Sequence, residues 1–353
     1  MSTQSVPQIQ KAWLILRKGK PSDVLALKQD VAVPSKLSKG EVLVRVQAAA
    51  MNPVGYKVMG FLPNFIARRP HVAEHDFTGI IANANGTELE NGQAVYGFVP
   101  VQLKLKTKQG SLAQYLRVPA SHCVPRPSTL TPTQAAGLTL SGLTAYQALF
   151  NIAKLEPGQS LFINGGSTAV GIYATQLAKA IGCTVTVSAS GKKEDFVRSF
   201  GVDNFVDYTK GPVHEQLARN PPSPKFHVIF EAVGGTDVAL YTSSEAYLAP
   251  GGIFVSVGIH PHGGMSGYKQ ALHYLWELNR PSLFGGIQRK WKLILVAFDR
   301  ESLERYSEFV ADGKVKPAVD SVYAFEDVQE AYARIMSSRA SGKVVVKVDP
   351  TVE

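Results

Sequence analysis

Cysteine is nearly absent, with only Cys123 and Cys183 in 353 residues. Two thiols supply neither a disulfide framework nor a four-cysteine zinc site, so a stapled small fold and a structural zinc lobe are both excluded. Cys183 lies in an apolar run, residues 182–187, that reads as a buried strand, and both thiols are expected to pack. Long apolar runs are missing too, since no stretch approaches the ~18 residues that cross a bilayer. Residues 1–10 are polar, with no apolar signal core and no arginine, which makes the cytosol the expected location. Acidic residues fall short of basic ones, 28 against 37, leaving a formal charge of +9. The excess is spread out. Without a dense basic run, a zinc finger or an aromatic-basic RNA motif, it reads as a general positive potential that draws a polyanionic cofactor, and no nucleic-acid or membrane partner is expected. Lys104, Lys106 and Lys108 alternate with Leu and Thr and read as the solvated face of a strand or hairpin.

What is present points to α/β architecture. Apolar residues make up 45%, and 31 Gly with 21 Pro imply many turns. A chain of this length exceeds what one core usually supports, so two domains are expected. Up to Pro125 the chain reads as β-rich: residues 41–49 (EVLVRVQAA) alternate in strand fashion, and 77–82, 93–98 and 110–118 are further short strands. The pattern then changes. Thr131-Pro132-Thr133-Gln134 is a capping box with proline at the first helical position, and residues 142–150 form a second helix. From Ser160 strands at 161–164, 184–188, 204–206, 227–231 and 253–257 alternate with helices, the signature of a doubly wound parallel sheet. Residues 290–296 read as one more strand, at an edge or in a dimer contact, which leaves monomer or homodimer open. Residues 300–311 and 326–337 are amphipathic helices, and 343–348 are a closing strand.

The turn after the first of these parallel strands is Asn164-Gly165-Gly166-Ser167-Thr168-Ala169-Val170-Gly171. Small residues there let backbone approach a pyrophosphate, and the following helix aims its first N–H groups at the charge. The second strand ends in Ser188-Ala189-Ser190-Gly191-Lys192-Lys193, with no acid before Glu194. An NAD enzyme places a carboxylate near there for the ribose 2′-hydroxyl, whereas hydroxyls and lysines suit a 2′-phosphate. NADPH is therefore favoured over NADH, although Lys192 and Lys193 also suit a solvated helix start. Tyr208, just past the third strand, either stacks near the adenosine or caps the strand.

In order and spacing, several segments resemble the medium-chain dehydrogenase/reductase superfamily, in its zinc-free quinone oxidoreductase (zeta-crystallin-like) and fungal enoyl reductase branch. They are Ala49-Ala50-Met51-Asn52-Pro53-Val54, His75-Asp76-Phe77-Thr78-Gly79, Gly110-Ser111-Leu112-Ala113-Gln114-Tyr115, Gly142-Leu143-Thr144-Ala145, the phosphate turn, Glu231-Ala232-Val233-Gly234-Gly235 and Gly342-Lys343-Val344-Val345. The resemblance implies a GroES-like β-rich domain, residues 1–125 completed by 299–353, and a Rossmann NADPH-binding domain, residues 126–298, with a cleft between them. Around NADPH it places Asn52, Thr144, Gly166, Ser167, Thr168, Ala169, Val170, Ser190, Lys192, Lys193, Tyr208, Val233, Gly258, Ile259 and Lys343. It lines the substrate side with Thr139, Leu140, Leu143, Tyr146, Phe284 and Ile287. One departure is Gly55, where many relatives carry Asp.

His75 resembles the zinc-binding histidine of related alcohol dehydrogenases. No cysteine lies near Asn52, however, and Gly137-Leu138 stands where a second thiolate would, so three protein ligands cannot be assembled and no metal is expected. A site of this kind suits conjugated acceptors, in which a developing enolate needs only hydrogen-bond donors and a proton. Asn52, Tyr56 and Lys57 are the candidate catalytic residues. Lys57 is the foremost donor, because some enone-reducing relatives carry Lys there; a solvated surface lysine is the plain alternative. The expected activity is NADPH-dependent reduction of enones, enals or quinones. Enoyl-thioester reduction in polyketide or fatty-acid synthesis is the runner-up, and a non-catalytic NADPH-binding protein is the reading of another class.

Overall fold

The computed structural model describes residues 6–234, 237–258 and 265–353. Among them the strands are β1 (Ile9–Ile15), β2 (Leu25–Ala32), β3 (Glu41–Ala50), β4 (His71–Val72), β5 (Asp76–Asn83), β6 (Ala94–Phe98), β7 (Tyr115–Pro119), β8 (Cys123–Pro125), β9 (Ser160–Asn164), β10 (Thr184–Ala189), β11 (Asn204–Asp207), β12 (Phe226–Glu231), β13 (Leu248–Ser256), β14 (Lys290–Leu293), β15 (Val319–Ala324) and β16 (Lys343–Lys347). Two compact units emerge. One holds the chain up to Ser141 with Ala297–Ser307 and Pro317–Glu353, and the other holds Gly142–Val296 with Glu308–Lys316. The class is α/β, a β-rich unit and a parallel-sheet unit.

In the first unit β3 is the organising strand. Its residues EVLVRVQAAA are buried along most of their length. One end pairs antiparallel with β7, the other with β16, and β5 runs along its opposite edge. The resulting sheet has the order β15-β16-β3-β5-β6-β8, and a smaller sheet runs β2-β1-β4. Trp13, Val44, Met59, Phe77, Leu116, Tyr332 and Val346 belong to one core beneath these strands. The capping box forms as expected: Thr131 Oγ1 accepts Gln134 N, and Gln134 Oε1 accepts Thr131 N.

Two expectations need correction here. Lys104, Lys106 and Lys108 are not on a strand or hairpin, because residues Val101–Thr107 form a helix whose start follows Pro100. Alternation by two is weak evidence against a helix when Pro100 and Gly110 bracket only nine residues. Lys104 is buried, so it is no part of a solvated face. Residues 110–118 are strand only from Tyr115. The stretch before it splits its backbone bonds between two partners, Trp13 N donating to Leu112 O and Leu112 N to Ala73 O. It has no single neighbour to run beside.

The second unit is a six-stranded sheet, every pairing parallel, in the order β11-β10-β9-β12-β13-β14. β14 and β11 are the edge strands. The chain reverses direction across the sheet between β9 and β12, and in such sheets ligands bind outside the carboxyl ends of the strands at that point. β10 reads TVTVSA and is buried on both faces after its first residue, as a central parallel strand must be. Phe162, Ile229, Tyr247, Phe254 and Tyr274 fill a core on the same unit. The helix expected at 142–150 instead runs Thr139–Tyr146 and continues as a π-helical turn, Gln147–Ile152.

Candidate active site

The expected site residues fall into two groups, one in each unit. Asn52, Tyr56, Lys57, Thr139, Leu140 and Lys343 lie in the first. Asn52 precedes the helix Pro53–Phe61, with proline at its first turn, and Tyr56 and Lys57 ride on that helix. Asn52 is fully buried, and its polar atoms are all engaged. Its N–H donates to Glu74 Oε2 at 3.1 Å, its amide donates to Ala50 O and Asp76 Oδ2 at 3.1 Å each, and its Oδ1 accepts Lys343 Nζ at 2.6 Å. Lys343 Nζ also donates to Asp76 Oδ2 at 3.0 Å and Ser141 Oγ at 3.5 Å. The other carboxylate oxygen of Asp76 accepts Leu140 N at 2.9 Å, which ties the start of the Thr139–Tyr146 helix to the same group.

These contacts bring Asn52 and Lys343 together across the sequence, and they add Glu74, Asp76, Lys104, Ser141 and Tyr332, which sequence reading did not select. Asp76 sits inside a quoted motif, so a signal for it existed. Glu74 and Lys104 had none, because nothing in a sequence says that a charge is buried. Lys57 and Tyr56 are half-buried. Burial pushes the Lys57 ammonium down to about 8 and raises the Tyr56 hydroxyl. An ammonium with that pKa gives up a proton readily near neutral pH. Thr139 is fully buried, and its hydroxyl has no hydrogen-bond partner among the described residues.

In the second unit the phosphate turn is set by close packing. A Cβ on Gly166 would lie 2.6 Å from Val187 Cβ, and one on Gly171 would lie 2.3 Å from Gly165 O; Gly165 itself has φ +89°. Thr168 caps the Ala169–Ala180 helix, accepting Gly171 N at 3.0 Å and donating to Gly165 O at 2.9 Å. The first-turn N–H groups at Ala169 and Val170 therefore head a twelve-residue helix at the carboxyl end of β9. Ser188 Oγ donates to Asn164 Oδ1 at 2.6 Å and accepts Gly165 N at 3.1 Å, which fixes the turn against β10. Glu231, also unselected by the sequence reading, is buried at the end of β12. Its carboxylate accepts Val233 N, Gly234 N, Asn164 Nδ2 and Ser256 Oγ, so it ties β9, β12 and β13 together. Burial raises its carboxyl despite these donors.

After β10, Gly191–Lys193 form a 3-10 turn. Glu194 spends its carboxylate on Arg198 at 2.8 Å, as an i,i+4 pair. A nearer acid comes from the next strand: Asp207 Oδ2 lies 2.5 Å from where a Gly191 Cβ would be. Its other oxygen accepts Thr209 N and Thr209 Oγ1, bonds that hold its carboxyl below the ordinary range. Tyr208 and Val233 are exposed. Gly258 has φ +96° and open space where a Cβ would sit. Leu143 is fully buried and Thr144 nearly so. Tyr146 packs edge-on against Phe150 at 4.9 Å between centroids. Phe284 is exposed and Ile287 half-buried. Ile259 lies outside the described residues.

The turn and helix fit a dinucleotide. The backbone at Gly165–Val170 carries no large side chain, and the N–H groups and helix dipole there favour an anion. Zinc has no comparable site among the described residues. His75 is fully buried, its Nδ1 is 2.7 Å from Val99 O, and burial holds its imidazole far below the ordinary range. Among the described residues no group of three or more His, Cys, Asp or Glu is placed to hold a metal ion.

Comparison with known proteins agrees with this arrangement. Residues 38–128 match the family model described as alcohol dehydrogenase GroES-like domain, and residues 200–346 match the one described as zinc-binding dehydrogenase. A zinc-type alcohol dehydrogenase-like protein of Schizosaccharomyces pombe is 32% identical over 98% of this chain and 99% of its own length. The trans-enoyl reductase poxH of Penicillium oxalicum is 31% identical over 96% of this chain and 97% of its own. A quinone oxidoreductase from Coxiella burnetii shares the fold, with a TM-score of 0.74 at 24% identity over 96% of this chain and 99% of that one. The chain belongs to the medium-chain dehydrogenase/reductase superfamily of nicotinamide-dependent oxidoreductases, in its zinc-free branch.

Proposed function

We propose that the protein reduces activated carbon–carbon double bonds, in enones or enals, or quinones, with NADPH and without a metal. The observation that carries this reading is Lys57, half-buried on the helix that follows Asn52, with its ammonium pushed down to about 8. The Gly166–Val170 turn would hold NADPH, which would supply the hydride that the β-carbon of a conjugated acceptor takes up. Lys57 then donates a hydrogen bond, and finally a proton, to the electron-rich carbon–oxygen system that results; one such donor is typically worth ~10²–10³ in rate. Asn52 holds the helix bearing Lys57 in place. We assign this chemistry to the β-rich unit and NADPH binding to the parallel-sheet unit, through the Gly166–Val170 turn and the Ser190, Lys192 and Lys193 segment. Asp207, kept ionised by its bonds from Thr209, lies beside that segment and works against a 2′-phosphate, so the preference rests on the hydroxyl and the two lysines outweighing it. The likeness to poxH supports an enoyl thioester as the second reading of the acceptor.

The test is NADPH consumption with methyl vinyl ketone, menadione and crotonyl-CoA in parallel. Turnover of the enone or the quinone supports the main reading, and turnover of the thioester alone supports the second. Tight NADPH binding with no turnover of any acceptor overturns both and leaves a binding protein.

A further inference from the structure

A second carboxylate serves the helix that carries Lys57, and it comes from outside that helix. Glu74, between β4 and β5, is fully buried. Its Oε2 accepts the N–H of Asn52, and its Oε1 accepts the hydroxyl of Tyr332, from the Val328–Met336 helix. Lys104, also buried, donates to the Glu74 carbonyl at 3.3 Å, and its charge acts on the carboxylate. A Cβ at Gly55 would lie 2.1 Å from Glu74 Oε1 and 2.8 Å from its Cδ, so the carboxylate fills the space a side chain at position 55 would need. Glu74 reaches this place from a left-handed backbone, φ +59°, which a side chain of its size rarely adopts. Strain of that kind persists only where the surroundings over-determine it.

We propose that Glu74, held at its backbone carbonyl by Lys104, is the positioning residue for the Pro53–Phe61 helix, replacing a carboxylate at position 55 and setting where Lys57 meets the acceptor. Asn52 is gripped on one side by Glu74 through its backbone and on the other by Asp76 and Lys343 through its side chain. Removing Glu74 frees the backbone grip alone. Lys57 stays in the chain but loses its fixed origin. The inference rests on the reading of Lys57 as proton donor. The Gly166–Val170 turn and the Ser190–Lys193 segment, to which we assign the phosphates of NADPH, lie in the other unit, so cofactor affinity should change little.

The experiment compares Glu74→Gln, Glu74→Ala, Gly55→Asp, the double variant Gly55→Asp with Glu74→Ala, and Lys57→Met. Each is assayed for NADPH binding by fluorescence and for turnover of methyl vinyl ketone and menadione. Glu74→Gln keeps the shape and one accepting oxygen, so it guards against a variant that merely fails to fold. We expect Glu74→Ala to lower kcat with the enone by up to about a hundredfold, as misplacement of a catalytic group by about 1 Å does, with menadione much less affected and NADPH binding little changed. Gly55→Asp alone should disrupt folding by collision with Glu74, and the double variant should regain enone turnover over either single change. Equal loss with both acceptors in Glu74→Gln, or no recovery in the double variant, overturns the positioning role while a damaging Lys57→Met keeps the donor reading. A neutral Lys57→Met overturns the donor reading, and this inference with it.

Discussion

Lys57 and Lys193 carry the two functional expectations that single residues decide. Lys57→Met should lower kcat for an enone far more than it alters NADPH affinity, because a donor to developing charge acts in the transition state. Menadione should be spared, since a reduced quinone takes protons from water. The pH dependence follows from the lowered ammonium. Lys57 works protonated, so kcat/KM for the enone should be level below about 8 and fall as pH rises through that value, while menadione turnover stays flat there. A pH profile with no descending limb in that range argues against Lys57. Lys193→Ala, or Ser190→Asp, should weaken NADPH more than NADH. A charge-assisted bond to a 2′-phosphate is worth ~1.5–3 kcal/mol, so a roughly ten- to hundredfold loss is expected in titrations with the two cofactors. Equal losses would place the 2′-phosphate elsewhere.

At the scale of elements, the carboxyl end of the parallel sheet is held by polar side chains. Glu231 receives bonds from the loop after β12, from β9 and from β13, so three strand ends share one buried carboxylate. Glu231→Ala leaves those donors unmatched. A loss of about 3 kcal/mol is expected by urea unfolding, with NADPH and NADH weakened alike because the damage lies in the shared turn. That equality distinguishes it from Lys193→Ala. Thr168→Ala removes the cap of the Ala169–Ala180 helix and should cost about 1 kcal/mol, visible as a lower Tm with and without cofactor. In the other unit the Val101–Thr107 helix presents Lys104 inward and Lys106 outward. Its ammonium donates to the backbone carbonyl of Glu74, thirty residues earlier, and lies in the field of that residue's carboxylate. The alternating lysines misled because their fates depend on that distant carboxylate.

For the whole molecule the sharpest expectation concerns metal. The ligand set beside His75 is incomplete, so the purified protein should carry less than stoichiometric zinc by elemental analysis, and chelators should leave turnover intact. One zinc per chain whose removal abolishes activity would refute this.

The order of elements was legible in the sequence because it is written in local patterns. Period-two strands up to Pro125, the capping box at Thr131 and the strand–helix alternation from Ser160 each depend on near neighbours, and that alternation was enough to expect a parallel sheet. The small-residue turn at Gly165–Val170 and the lack of cysteine beside Asn52 were equally plain. What the sequence did not disclose are the groups whose chemistry depends on burial and on partners far along the chain. Glu74 with Lys104 and Tyr332, and Asp76 with Lys343, are ordinary residues on paper. Only the tertiary fold withdraws them from water, where an unpaired charge is costly, and so pairs them. Composition and local order determined the family of this protein; long-range burial of charge decided how its candidate site is held.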